Sequence, residues 1–245
     1  MFRNLITLFG AVFLILALIL GCSDDNPTEP EEEKMPEFEV KAIYIPSQMA
    51  QSQDPHAQQT VAYINMANGI AGFASFFTPP ANTSLAKTAG TTGDLTWTRT
   101  WKVDSLTITL NVSKQNDLIV WDVIVSGSDQ GVIHQNWKML HAEKTINAQS
   151  GSLIFYQLNS TEKATEWLWN IDDEDVYTLT MIFYEGEGGK IEIIQNPDKS
   201  GELLIYKNSA NGYALEFKAQ WQANGSGEWW LYDANGEITD HNNWG

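Results

Sequence analysis

From Leu95 onward, apolar and polar residues alternate with a period of two. Leu95, Trp97, Trp101 and Val103 interleave with threonines, and Leu106, Ile108, Leu110 and Val112 repeat the pattern. Strict alternation marks a strand with one buried face. The same pattern predicts further strands over 117–126, 132–142, 152–158, 164–171, 176–184, 190–195, 202–207, 213–221, 228–232 and 237–240. The gaps are short and carry turn residues: Lys114-Gln115-Asn116, Gly127-Ser128-Asp129, Asn211-Gly212 and Asn235-Gly236, the last read as a type I′ turn. Gaps this short join antiparallel neighbours, and no crossover helix fits between any pair, which excludes a parallel sheet.

Upstream the period changes. Phe38–Ile45 alternates and predicts a first strand that ends at Pro46, and Ser47–Gln59 leaves room for a short helical turn before Pro55. Residues 58–77 predict a helix with two apolar stripes, through Val61 and Ile64 and through Tyr63, Met66, Ile70, Phe73 and Phe77. Apolar residues cover most of its circumference, so it is expected to be buried on several sides. Pro79-Pro80 stops it, and 81–93 reads as a Thr/Ala/Gly/Ser loop. Eleven or so strands in one sheet cannot stay flat. The expected fold is mainly β: one domain over 38–245, an antiparallel meander curled into a barrel or half-barrel around one N-terminal helix.

The meander contains a repeat. "SGSLIFY" (150–156), "SGELLIY" (200–206) and "SGEWWLY" (226–232) share Ser-Gly-x, three large apolar residues and tyrosine, and "MIFY" (181–184) keeps the tail. The four tyrosines, at 156, 184, 206 and 232, recur at hairpin-length intervals, so the unit is a two-stranded hairpin. It weakly resembles the hairpins of MORN-type repeat proteins over the last third of the chain, without their regular glycine spacing, and implies no function. A helix followed by a long meander is similar in plan to half-barrel lipid carriers of the bacterial envelope. That is a likeness of architecture alone.

The chain's one cysteine changes the picture of where the domain sits. Arg3 precedes an apolar run, Leu5–Leu20, that ends in Ile19-Leu20-Gly21-Cys22. A positive start, an apolar core and a small residue before the cut form a secretory signal, and the run is short of the roughly 20 residues that span a bilayer. The last four residues resemble the lipobox of bacterial lipoproteins. The resemblance implies cleavage before Cys22, which would then carry the acyl chains of a membrane anchor. Each buried methylene contributes about 0.8 kcal/mol, so several chains hold firmly. Ser23-Asp24-Asp25 is similar to the acidic export tags of surface lipoproteins, and Ser23 after the anchor is compatible with outer-membrane sorting; the acids equally serve to solvate a tether. Residues 22–37, with Pro27, Pro30, Pro36 and Glu31-Glu32-Glu33, read as an extended acidic linker.

Composition narrows the chemistry. The chain of 245 residues carries 31 acids against 14 bases, which argues against binding a nucleic-acid backbone. One cysteine leaves no internal disulfide and no cysteine zinc site. There is no phosphate loop, dinucleotide fingerprint, His-Glu-x-x-His or Gly-x-Ser-x-Gly, so no cofactor, resident metal or catalytic residue is expected. His134 and His141 are seven apart, on opposite faces of a regular strand. Asp172-Asp173-Glu174-Asp175 is a polar turn by position; oxygen-rich loops also bind calcium, but the spacing of calcium loops is missing.

The ten tryptophans divide the remaining hypotheses. Trp97 and Trp101 share a face, as do Trp167 and Trp169, while Trp229 and Trp230 oppose each other. Most such residues are core in a large curled sheet. If several line a groove instead, they stack on sugars or hold an apolar ligand. Arg99 lies in the Trp97–Trp101 row; buried, it needs a carboxylate, and at a cavity mouth it pairs with an anionic head group. The expected function is non-catalytic binding of an apolar or amphipathic ligand, such as a lipid, in a cavity of several hundred cubic ångströms lined by Trp97, Arg99, Trp101, Phe73 and Phe77. The alternative is a surface scaffold that contacts proteins or glycans through an exposed sheet face.

Overall fold

The computed structural model describes residues 34–78, 80, 83, 85–89 and 95–245. The signal segment, Cys22 and the linker up to residue 33 lie outside the described residues. Met35–Gly245 form one compact unit. Two α-helices, α1 (Ser47–Ala50) and α2 (Pro55–Asn68), are followed by a 3-10 helix over Gly69–Phe77. No helix among the described residues is long and apolar enough to cross a membrane.

Thirteen strands follow: β1 (Leu85–Ala89), β2 (Leu95–Val103), β3 (Leu106–Gln115), β4 (Leu118–Asp129), β5 (Val132–Thr145), β6 (Ser150–Tyr156) and β7 (Lys163–Ile171), then β8 (Tyr177–Phe183), β9 (Gly189–Gln195), β10 (Gly201–Ser209), β11 (Gly212–Trp221), β12 (Gly227–Tyr232) and β13 (Ile238–Trp244). Each pairs only with its sequence neighbours, always antiparallel, in the order β1 to β13. The sheet is not closed, as in a half-barrel or curled sheet. The alternation that predicted the strands is the burial pattern itself: β4 buries Ile119, Trp121, Val123 and Val125 and presents the residues between them outward. Strand β1 is a correction, because it falls within the stretch read as a loop. Its small residues carry no alternation signal, and its pairing with β2 supplies the order.

The helix also differs from expectation. The α-helical part starts earlier, where Asp54 caps it by accepting from the backbone N–H groups of His56 (2.8 Å) and Ala57 (2.9 Å), with Pro55 in the first turn. It ends at Asn68, and the glycine-containing stretch after it winds as 3-10 helix. It buries one face, through Ala57, Thr60, Ile64 and Ala67, rather than several. Met66 remains 39% exposed.

The predicted strand over Phe38–Ile45 is extended but pairs with no strand. Side-chain amides take the place of a ladder. Asn68 accepts from the Ile43 N–H (2.7 Å) and donates to its carbonyl (2.8 Å). Gln195 does the same for Tyr44, at 3.0 and 2.9 Å. Trp121 Nε1 donates to Pro36 O, and Lys144 Nζ to Glu37 O. The segment thus crosses the sheet beside the turns that join β3–β4, β5–β6, β7–β8, β9–β10 and β11–β12, here termed the lower end. Phe38 fills the space among Phe77, Trp121 and Trp169, with ring centroids 4.6, 5.4 and 6.0 Å away. The face that carries this segment and α2 is the inner face.

Three of the repeat hairpins share one device. Gly151 pairs with Trp169, Gly201 with Trp221, and Gly227 with Trp244. In each the indole lies over its glycine so closely that a Cβ there would collide with it. Trp221 Nε1 donates to Lys199 O (3.1 Å) and Trp244 Nε1 to Gly225 O (2.8 Å), each acceptor two residues before the glycine. The glycine permits the indole to lie flat, and the turn carbonyl fixes its angle. The turns repeat as well. In Asp172–Val176, Asn196–Ser200, Gln222–Ser226 and Asp233–Glu237 the first N–H bonds the fifth carbonyl, and the fourth residue (Asp175, Lys199, Gly225, Gly236) has positive φ. That is a type I turn with a glycine-type bulge. It corrects the type I′ expectation at Asn235-Gly236, because Asn235 keeps a negative φ.

Candidate functional site

Trp97, Arg99 and Trp101 occupy successive inner-face positions of β2, opposite Val112, Leu110 and Ile108 of β3. Trp97 is fully enclosed. Arg99 and Trp101 are half-buried, and Arg99 Nε is shielded from solvent with no hydrogen-bond partner. Phe77 is buried between Phe38 and Trp121. Phe73 packs on Phe155 (4.7 Å) and Trp167 (5.8 Å). Of the five expected lining residues, Trp97 and Phe77 are therefore core. The chain's own Phe38 occupies the place where a ligand was expected beside Phe77. Trp101, Phe73 and Arg99 remain at the margin of that core.

Toward the opposite, upper end of the strands, the inner face is less completely covered. Trp101, Ile108, Trp137, Met139, Phe155 and Phe183 are all half-buried there. Leu110, Val123 and Leu140, in the same row as Arg99, are fully buried under the helical segment. Simple parity hides Trp137 from the sequence, because β5 carries two bulges, one between the positions opposite Val123 and Ile124 and one opposite Val125–Gly127. The first brings Trp137 and Leu140, an odd number apart, onto the same face. Nothing local in the sequence signals either bulge except Asn136, whose φ is +51°.

Orphaned donors are spread along the inner face. Besides Arg99 Nε, the indole N–H groups of Trp167 and Trp229 and the Tyr177 hydroxyl are buried without partners. Burial alone pushes the Tyr177 phenol well above its ordinary value of 10.0. The Trp229 ring instead packs against His56 at 3.8 Å. At the lower end, Lys144 rests over Trp121 (5.6 Å). Burial lowers its pKa, opposed by the pull of Glu39 and Glu37.

The outer face is polar and paired. His141 Nδ1 lies 2.8 Å from Asp122, which also meets Lys138 at 2.9 Å. Burial raises the Asp122 pKa, but the hydrogen bonds from His141 and Lys138 outweigh it and leave the carboxyl below its usual 3.8. The other His141 nitrogen is 4.0 Å from Glu143, so two carboxylates flank the ring, and among the described residues no hydroxyl or thiol bonds it. His134 lies on the inner face, opposite Gly127, held by Asn159 at 2.9 Å and stacked on Trp137. Two bulges cancel, and the two histidines do sit on opposite faces.

Farther along the outer face, Glu166 is buried and bonded by Lys163 and the Tyr184 hydroxyl, both at 2.6 Å. Two shallow depressions, of about 320 and 250 Å³, lie beside the repeat glycines. Glu202, Gln220, Trp221 and Ser200 line the first; Gln220, Glu228, Asn243 and Trp244 line the second. Neither touches Trp97, Arg99, Trp101, Phe73 or Phe77. The Asp172–Asp175 cluster is a turn in which Asp172 Oδ1 accepts from Glu174 N and Val176 N, both at 2.9 Å. Asp233 makes the same two bonds to Asn235 and Glu237. Among the described residues no three His, Cys, Asp or Glu side chains are grouped to hold a metal ion.

A comparison with models of known protein families finds no match, and none is found among curated protein sequences.

Proposed function

We propose that this chain is a cell-envelope lipoprotein, anchored in the outer membrane through Cys22, whose domain binds an apolar or amphipathic ligand without catalysis. One observation carries the binding reading: the half-buried strip Trp101, Ile108, Trp137, Phe155 and Phe183 on the upper inner face, with the unpaired Nε of Arg99 at its β2 end. Large, incompletely covered apolar side chains with few polar groups among them are the usual lining of a ligand groove. The ligand lies above the helix, in place of the enclosed space between helix and lower sheet.

Native mass spectrometry of Met35–Gly245, purified gently from a bacterial host, tests it. An extra mass released on denaturation, and lost in Trp101→Ala with Phe155→Ala, is the expected result. A clean apo mass together with no response of tryptophan emission to long-chain amphiphiles overturns it. Labelled-palmitate incorporation that depends on Cys22 tests the anchor.

A second reading rests on the outer depressions, whose hydroxyls, amides and carboxylates suit the hydroxyl groups of a glycan. In that reading the domain is a surface module and Gln220→Ala, which lines both depressions, abolishes glycan capture.

A further inference from the structure

We infer that the ligand of the upper inner face is a single-chain amphiphile with an anionic head, carboxylate or phosphate, and that Arg99 receives the head; this rests on the groove reading above. Arg99 projects from the inner face of β2 with Trp97 and Trp101 on either side along the strand and Leu110 across it. Its neighbours are apolar, a costly place to leave the Nε–H without an acceptor. Yet in a chain with 31 acidic residues, no carboxylate within the described residues pairs with it. Among the described residues the ion pairs of lysine and histidine lie instead on the outer face or near it.

The Nε–H of Arg99 is a donor, so what it lacks is an oxygen acceptor. A carboxylate or phosphate supplies several lone pairs at once, and the planar guanidinium fork matches either in a two-point contact. The apolar strip gives the tail its place. From β2 to β6 it spans four strand spacings, about 19 Å along the sheet, the reach of a long extended acyl chain. Ile108 and Phe155 lie along that path, and Phe73 covers Phe155 from the helical side.

The test titrates Met35–Gly245, whose core is complete in itself, with hexadecanoate, hexadecyl phosphate and hexadecanol below their aggregation limits. Binding is read by tryptophan emission and calorimetry. The expected result is that at least one anion binds tenfold or more tighter than the alcohol. Arg99→Gln should erase the difference by weakening the anions far more than hexadecanol, and Arg99→Lys should keep part of the preference. Equal affinity of anions and alcohol for the unaltered protein overturns the head-group assignment while the groove stands. A preference that survives in Arg99→Gln overturns the role of Arg99. If none of the three binds, the groove reading falls and takes this inference with it. The comparison on the unaltered protein decides the head group even where a variant does not fold.

Discussion

Gly201→Ala is the sharpest perturbation of the repeat. The added methyl would stand 2.9 Å from Trp221 Cε2, and closer still to Cζ2 and to the Ile194 carbonyl oxygen. None of these can retreat cheaply. The Trp221 ring is 1% exposed, its N–H is bonded to Lys199 O, and Ile194 is backbone in the neighbouring ladder. Overpacking a tight core costs about 1–3 kcal/mol, and rigid neighbours on two sides put this site at the upper end. For a unit of this size about 3 kcal/mol lowers Tm by roughly 6–12 °C. Urea unfolding followed by tryptophan emission measures it. Trp221→Ala alone should cost about 3–5 kcal/mol by cavity formation. It also removes the ring that the methyl strikes, so the double variant should lose about 2 kcal/mol less than the sum. A Gly201→Ala protein within about 0.5 kcal/mol of the parent, or a strictly additive cycle, would refute the claim that glycine is there to seat the indole.

Three further outcomes are expected. Asn68→Ala deprives both the N–H and the carbonyl of Ile43 of their partners and should cost about 2 kcal/mol, with faster amide exchange at Ile43; unchanged exchange there would count against the amide clamp. The Tyr184 phenol, raised by burial and then by its bond to Glu166, should titrate at about 12 in ultraviolet absorbance, and Glu166→Gln should bring it part of the way back toward 10.0. Because the folded value is raised, its stabilisation is complete below the unfolded value and fades as pH rises through about 12. Asp122 has the opposite sign: its folded pKa lies below 3.8, so the stability gap between the parent and Asp122→Asn should be full above that value and close as pH falls through the folded pKa, and a gap that widens in acid would reverse the assignment.

The strands were legible because a meander makes every pairing local. Alternation set the faces of the regular strands, though not of bulged β5 or of β1, and short gaps set the neighbours, so order and direction needed no long-range information. Phe38–Ile45 shows the limit of that signal. Its alternation correctly reports one buried side, but alternation says nothing about what satisfies the backbone. Here the partners are Asn68 and Gln195, far along the chain, and no local pattern marks them. The helix start was written in Asp54-Pro55, a cap followed by a first-turn proline, although the apolar stripe begins only later. Trp97 and Trp101 share a face as read, yet their fates differ because Phe38 and Phe77 reach the lower rows only, and that depends on where a non-strand segment crosses the sheet.

The same crossing determines where a ligand has room. In the repeat hairpins, indoles at the lower end lie flat on glycines, and the Met35–Ile45 segment and α1 close over that end: Gly225 packs against Pro46 and Gln48, and Phe38 against Trp121 and Trp169. These large apolar groups are spent on sealing the protein's own interior. The helical segment covers Leu110, Val123 and Leu140 and reaches Phe155 through Phe73, but no comparable segment within the described residues lies over Trp101, Ile108 and Phe183, which stay half-buried, and Arg99 keeps an unpaired Nε. A residue type that marks the core at one end of a strand thus marks the proposed ligand surface at the other. What separates the two is the row a side chain occupies, because hydrophobicity is the same in both, and the row is fixed only by register.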